Sequence, residues 1–221
     1  MFKKIKNMVS LQDTLNLNTN GPAWVKGVTK ENRSINWHRA IYMEIAEAID
    51  SLNWKHWKAL DSKEDMKNVE IEVVDVWHFI MSQAITDTNG NVKEATALIY
   101  KEFIYVQNTI YKQITLIDQL EEIARVAING KNPIREFFIA LELMPNLDME
   151  TMYSLYIGKN CLNAFRQDYG YKEVGVYIKI WNGKEDNVYM QEIIEKNRNI
   201  TFDSLYKQLE DIYIPILKEN R

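Results

Sequence analysis

The scarcity of turn-forming residues constrains this chain most. Its 221 residues include 8 Gly and 4 Pro, where average usage would supply roughly 26. A β-sandwich or barrel reverses direction every few residues and needs such residues at each reversal. Long helices do not, so the expected class is all-α, a helical bundle. Hydrophobic residues make up 46% of the chain, enough for a substantial core. No linker, repeat or low-complexity segment divides it, and residues 1–221 read as a single domain. The 31 acidic and 27 basic residues leave a net charge of −4. That balance gives no support to nucleic acid or an acidic lipid surface as a partner. No apolar run approaches the ~18–20 residues of a membrane span. Polar residues follow Met1-Phe2-Lys3-Lys4-Ile5-Lys6 where a signal peptide would turn apolar. The lone Cys161 cannot form an internal disulfide and reads as a small buried apolar residue. The expected location is cytoplasmic.

Apolar spacing locates the helices. Ile5, Met8, Leu11 and Leu15 mark a first helix, stopped by Asn18-Thr19-Asn20-Gly21-Pro22. Ile41, Ile45, Ala48, Ile49 and Leu52 mark a second, beginning near Ser34 to Asn36. A third runs from about Asp65 to Thr86 with Val69, Val73, Val76 and Ile80 inward, and Asn89-Gly90 breaks it. Residues 92–128 contain neither Gly nor Pro, so they form one long helix or two with a subtle break. Their broad apolar coverage fits burial on several sides, another subunit included. Asn132-Pro133 is expected to cap the next helix, Asp148 one that runs to about Asp168, and Asp203 the last. Residues 171–187 read as irregular.

Two carboxylate pairs stand out: Glu44 with Glu47 on the second helix, and Glu72 with Asp75 on the third. Each is spaced i, i+3, so its members share a helix face, and that face borders the apolar stripe. Packed side by side, the helices would converge four carboxylates that repel one another. A hard cation with oxygen preference, Mg²⁺, relieves that repulsion and leaves sites for phosphate oxygens. Paired ions at such a site generate hydroxide near neutral pH, which points to hydrolysis of a phosphoric anhydride. The plain alternative is a pair of solvated helix faces. Asp50, a further turn along, is read as solvent-facing.

Sequence words around these acids carry a family resemblance. They are Ile41-Tyr42-Met43-Glu44, Trp54-Lys55-His56-Trp57-Lys58 and Asp75-Val76-Trp77-His78-Phe79. Further on come Tyr156-Ile157-Gly158-Lys159-Asn160, Asn163-Ala164-Phe165-Arg166-Gln167 and Trp181-Asn182-Gly183-Lys184-Glu185-Asp186-Asn187. Together with Glu44xxGlu47 and Glu72xxAsp75, which 24 residues separate, they resemble the dimeric dUTPases of the all-α nucleoside triphosphate pyrophosphohydrolase superfamily. The resemblance runs from Leu11-Gln12 to Asn187. It implies a homodimer that hydrolyses dUTP, and also dUDP, with two or three Mg²⁺ per site. Glu44, Glu47, Glu72 and Asp75 become the metal ligands, with Glu47 a candidate partner of the attacking water.

Further residues take roles by the same resemblance. Lys159, Asn163 and Arg166 lie on one stripe of their helix. Alone they read as a wet basic face; the resemblance makes them phosphate-binding, joined by Lys172, Lys184 and Asn187. Gly158 and Gly183 would allow close backbone approach. Gln12 and Asn16, i and i+4 on the first helix, offer amides that match O4 and N3–H of uracil. Trp54 and Lys55 contact substrate, and Phe79 stacks on the base or sugar or else belongs to the core. Trp57 and Trp77 read as core, and His78 as structural. The alternatives are a related pyrophosphohydrolase that prefers dCTP and a non-enzymatic helical interaction protein.

Overall fold

The computed structural model describes residues 1–58, 63–110, 114–198 and 200–219. They form helices α1 (Phe2–Asn20), α2 (Trp37–Asp50), α3 (Met66–Asp87), α4 (Val92–Gln107), α5 (Leu116–Ile128), α6 (Ile134–Glu142), α7 (Met149–Asp168), α8 (Asp186–Lys196) and α9 (Phe202–Glu219). Between α7 and α8 lies a two-stranded antiparallel ribbon, β1 (Ile180–Trp181) and β2 (Lys184–Glu185). The all-α expectation holds. The chain divides into two compact units, Met1–Met149 and Glu150–Arg221.

In the first unit, α2 packs on α3 and α5, α1 on α3 and α4, and α6 on α4 and α5. The periodic residues face inward: Ile41, Ile45, Val69, Val73, Val76 and Ile80 are all buried. Trp77 stacks on Phe137 with ring centroids 4.9 Å apart and donates its indole N–H to Met8 Sδ at 3.4 Å. Caps fix the two carboxylate-bearing helices. Asn36 accepts from the Arg39 N–H at 2.8 Å, and Asp65 from the Asn68 N–H at 3.1 Å. The end of α2 is tied to the start of α3 as well. Ser51 accepts at its carbonyl from the Asp65 N–H (2.9 Å) and at its hydroxyl from Asn68 Nδ2 (2.8 Å).

Residues 92–128 resolve into two helices. Thr115 caps α5 by accepting from the Asp118 N–H, a break made without Gly or Pro. Within this chain α4 buries Ala95, Thr96, Ile99 and Val106, while Ile104 and Tyr105 stay exposed. Asn132 does not cap α6. Pro133 occupies the N-cap position, and the Asn132 amide donates to the Ile80 carbonyl at 3.0 Å.

The second unit gathers Leu162, Phe165, Trp181, Leu205, Leu209 and Tyr213 into an aromatic-rich core. Gly158 belongs to its packing rather than to substrate approach. A Cβ there would lie 2.1 Å from Ile194 Cδ1 and 2.6 Å from Met190 Sδ, so glycine lets α8 press onto α7. Part of the stretch expected to be irregular is the β1–β2 hairpin. Asn182 (φ 47°) and Gly183 (φ 82°) supply the two left-handed residues of a two-residue turn. Asp203 lies inside α9, and Thr201 Oγ1 accepts from the Ser204 N–H at its start. Cys161 is buried as expected; burial, then the charge of Asp203, pushes its thiol up to about 12.

Candidate active site

The tether at Ser51 sets the register of the acids. Glu44 lies seven residues before Ser51, and Glu72 seven after Asp65. The chain doubles back between them, so equal rises of 1.5 Å per residue bring these two acids level. Glu44, Glu72 and Asp75 offer ligand oxygens that all lie within 4.8 Å of one another. Glu47 is exposed and outside this cluster. It is offset toward the Ser51 end, whereas Asp75 is offset the other way.

The electrostatics follow. Burial first, then the charges of Asp75, Glu47 and Glu72 and a hydrogen bond with Glu72, push the Glu44 carboxyl up to about 8. The donor set is all oxygen, anionic and mutually repelling, which suits a hard divalent cation. Glu44, Glu72 and Asp75 would hold it, and the charge of Glu47 reaches Glu44 from beside them.

Trp54 helps line an open cleft beside Leu52, Asn53, Glu64, Met66 and Thr115. Its ring meets Trp57 edge to face at 5.3 Å, and Lys55 sits over it at 5.7 Å while pairing with Asp50. Trp57 is not core: it is 62% exposed. Phe79 is half-buried and stacks on Trp37, centroids 5.9 Å apart and planes 24° apart. Sequence reasoning missed that partner, which lies far off in the chain.

Gln12 and Asn16 are buried rather than solvent-exposed, and they share a hydrogen-bonded network. Gln12 Nε2 donates to Ser82 Oγ at 3.0 Å and to Asn16 Oδ1 at 3.2 Å, and Asn16 Nδ2 donates to Ser82 Oγ at 2.8 Å. His78 Nδ1 lies 2.7 Å from Gln12 Oε1. Sequence reading passed over Ser82. One signal was present: Ser82 lies four residues after His78 on one helix face, turned toward α1.

In the second unit, Lys159 and Arg166 are buried, so the wet basic face does not exist. Arg166 makes a bidentate pair with the fully buried Asp186, Nε and Nη2 each donating at 2.7 Å. Its Nη1 donates to Asn163 Oδ1 at 3.4 Å. Tyr177 donates its hydroxyl to Asp186 at 2.8 Å; burial, then that carboxylate, holds the phenol well above its usual range. Lys159 Nζ donates to Asn187 Oδ1 at 3.3 Å. Lys172 is exposed, and Lys184 pairs with Glu192 at 2.7 Å. The cluster of Asp186 and Tyr177 about Arg166 was not read from the sequence, because its members meet only when the ribbon folds back.

Fold and site define an all-α protein with an oxygen-donor cage carried on two paired helices. Comparison with protein families then places it: the model described as dUTPase matches residues 4–171, and the chain belongs to that family. It is accordingly a hydrolase of nucleotide metabolism, a dUTP diphosphatase, and its substrate is a nucleotide. The match crosses the boundary between the two units and includes Lys159, Asn163 and Arg166; Lys184 and Asn187 lie beyond it. Comparison with curated proteins gives no match. Among the described residues, no helix is long and apolar enough to cross a membrane.

Proposed function

We propose that the protein hydrolyses dUTP, and also dUDP, to dUMP at the Glu44–Glu47–Glu72–Asp75 site, with Mg²⁺ as its cofactor. The observation that carries this reading is the approach of Glu44, Glu72 and Asp75 to within 4.8 Å in a chain of the dUTPase family. Bound there, two or three Mg²⁺ would supply Lewis-acid polarisation of phosphate oxygens and an acidified water. The chain's own part is then as follows. Glu44, Glu72 and Asp75 hold the cage rigidly on capped, paired helices. Glu47, exposed beside them, accepts the proton of the attacking water at its carboxylate. Gln12 and Asn16 form the uracil site, Phe79 covers the base or sugar, and Trp54 and Lys55 flank the substrate. Lys159, Asn163, Arg166, Lys172, Lys184 and Asn187 serve the phosphates, by family resemblance.

We read the whole chain as one catalytic domain, because the family match, residues 4–171, covers the first compact unit from residue 4 and continues into the start of the second. A homodimer is supported by apolar residues in 92–128 that this chain leaves exposed, Ile104, Tyr105, Ile110 and Ile128. A cytoplasmic location and the lack of a nucleic-acid partner rest on composition and the net charge of −4. The test is pyrophosphate release from dUTP, dCTP, dTTP and UTP, with and without Mg²⁺. The expected result is Mg²⁺-dependent turnover with dUTP strongly preferred, abolished in Glu47→Gln. Preference for dCTP would overturn the substrate assignment, and turnover in chelator would overturn the role of the cation.

A further inference from the structure

We propose that Ser82 is a positioning residue that sets uracil specificity by fixing which way the Asn16 amide faces. This rests on the reading of Gln12 and Asn16 as the base site. Ser82 has one hydroxyl proton, and it is committed: Oγ donates to the His78 carbonyl, one turn back, at 2.7 Å. Toward both amides Ser82 therefore acts only as an acceptor. Gln12 Nε2 at 3.0 Å and Asn16 Nδ2 at 2.8 Å must each turn their N–H groups toward it.

The rest of the network follows from that one committed proton. With its NH₂ toward Ser82, Gln12 directs Oε1 at His78 Nδ1, 2.7 Å away, so Nδ1 carries the hydrogen. Gln12 uses both its N–H groups, one on Ser82 and one on Asn16 Oδ1. It has no donor left for a base. Asn16 does: beyond its bonds to Ser82 and Gln12, its amide retains one N–H and one oxygen lone pair. That donor–acceptor pair complements O4 and N3–H of uracil. Cytosine presents the opposite pair, N4–H₂ and N3, and would match Asn16 only after a half-turn of the amide. The turned amide would set Asn16 Oδ1 against the Ser82 lone pairs and Nδ2–H against the Gln12 N–H. Ser82 and Gln12 thus oppose the turn that would admit cytosine, and His78 holds Gln12 for that purpose.

The experiment compares kcat/KM for dUTP and dCTP in the full-length wild type, Ser82→Ala, Ser82→Thr and Asn16→Ala. Where dCTP is not turned over, its inhibition constant replaces it. Ser82→Ala removes the acceptor of both amides, and loss of the bond that orders Asn16 should lower the dUTP-to-dCTP preference by roughly five- to ten-fold. Ser82→Thr, which keeps the hydroxyl, should retain the preference. If Ser82→Ala does not fold, Ser82→Cys, near in volume but a poor acceptor, should show the same fall. A variant that loses activity on both nucleotides in proportion would overturn the proposal. The two levels separate cleanly. An unchanged preference in Asn16→Ala overturns the base-site reading itself. A collapsed preference in Asn16→Ala with an unchanged one in Ser82→Ala overturns only the role of Ser82.

Discussion

Glu44 shows how one residue couples the site to the stability of the fold. Its carboxyl titrates near 8 in the folded chain, against an ordinary value of 4.5. Between those limits the folded state keeps a proton that the unfolded chain has released. Stability without cation should therefore be fullest below the lower limit and decline as pH rises toward 8. Glu44→Gln should raise the Tm at pH 8 and flatten its dependence on pH, and Mg²⁺ should do the same for the wild type. Thermal melts across this range, with and without Mg²⁺, check it; a variant as pH-sensitive as the wild type would show that the strain lies elsewhere. Asp186 is the counterpart in the second unit. Asp186→Asn leaves the buried Arg166 guanidinium without its counter-charge and should cost about 3–5 kcal/mol in urea unfolding.

At the scale of elements, caps and apolar periodicity were readable because they are local. Asn36 and Asp65 cap the helices that the spacing of Ile41 and Val69 announced. Elements failed to be read where a partner distant in sequence decided the outcome. Asn132 looked like a cap but is drawn to the Ile80 carbonyl. Gly158 looked available to a ligand but is filled by α8. Gly158→Ala should destabilise the protein by about 1–2 kcal/mol through overpacking against buried Ile194 and Met190. Ile194→Val in the same chain should recover part of that loss, as read by denaturant midpoints at constant m. The β1–β2 hairpin is a different kind of miss. Its Asn182-Gly183 signal was local and present. At φ 82° Gly183 sits in open space, so Gly183→Ala should cost about 1 kcal/mol through backbone strain alone.

At the scale of the molecule, the family match and the carboxylate cage give one activity to a chain with two compact units. A homodimer predicts a sedimenting mass of twice the 26.1 kDa chain. Ile104→Asp or Tyr105→Asp should shift it toward the monomer; a monomeric wild type would refute the dimer. Binding Mg²⁺ with a non-hydrolysable dUTP analogue should stabilise the fold by about 2.7 kcal/mol at a hundred times Kd.

The sequence by itself determined the helical class, the helices' apolar faces and the residues able to carry the chemistry, since each depends on local propensity and spacing. It also carried the words that mark the family. Only the tertiary structure decided which acids meet. The Ser51 tether sets the register of α2 against α3 and so brings Glu44 level with Glu72; Asp75 converges with them while Glu47 stands outside. It likewise decided that Arg166 is held by Asp186 and that Ser82 and His78 order the Gln12 and Asn16 amides. Those outcomes depend on which buried polar groups find partners across the fold. No spacing along one helix encodes that choice.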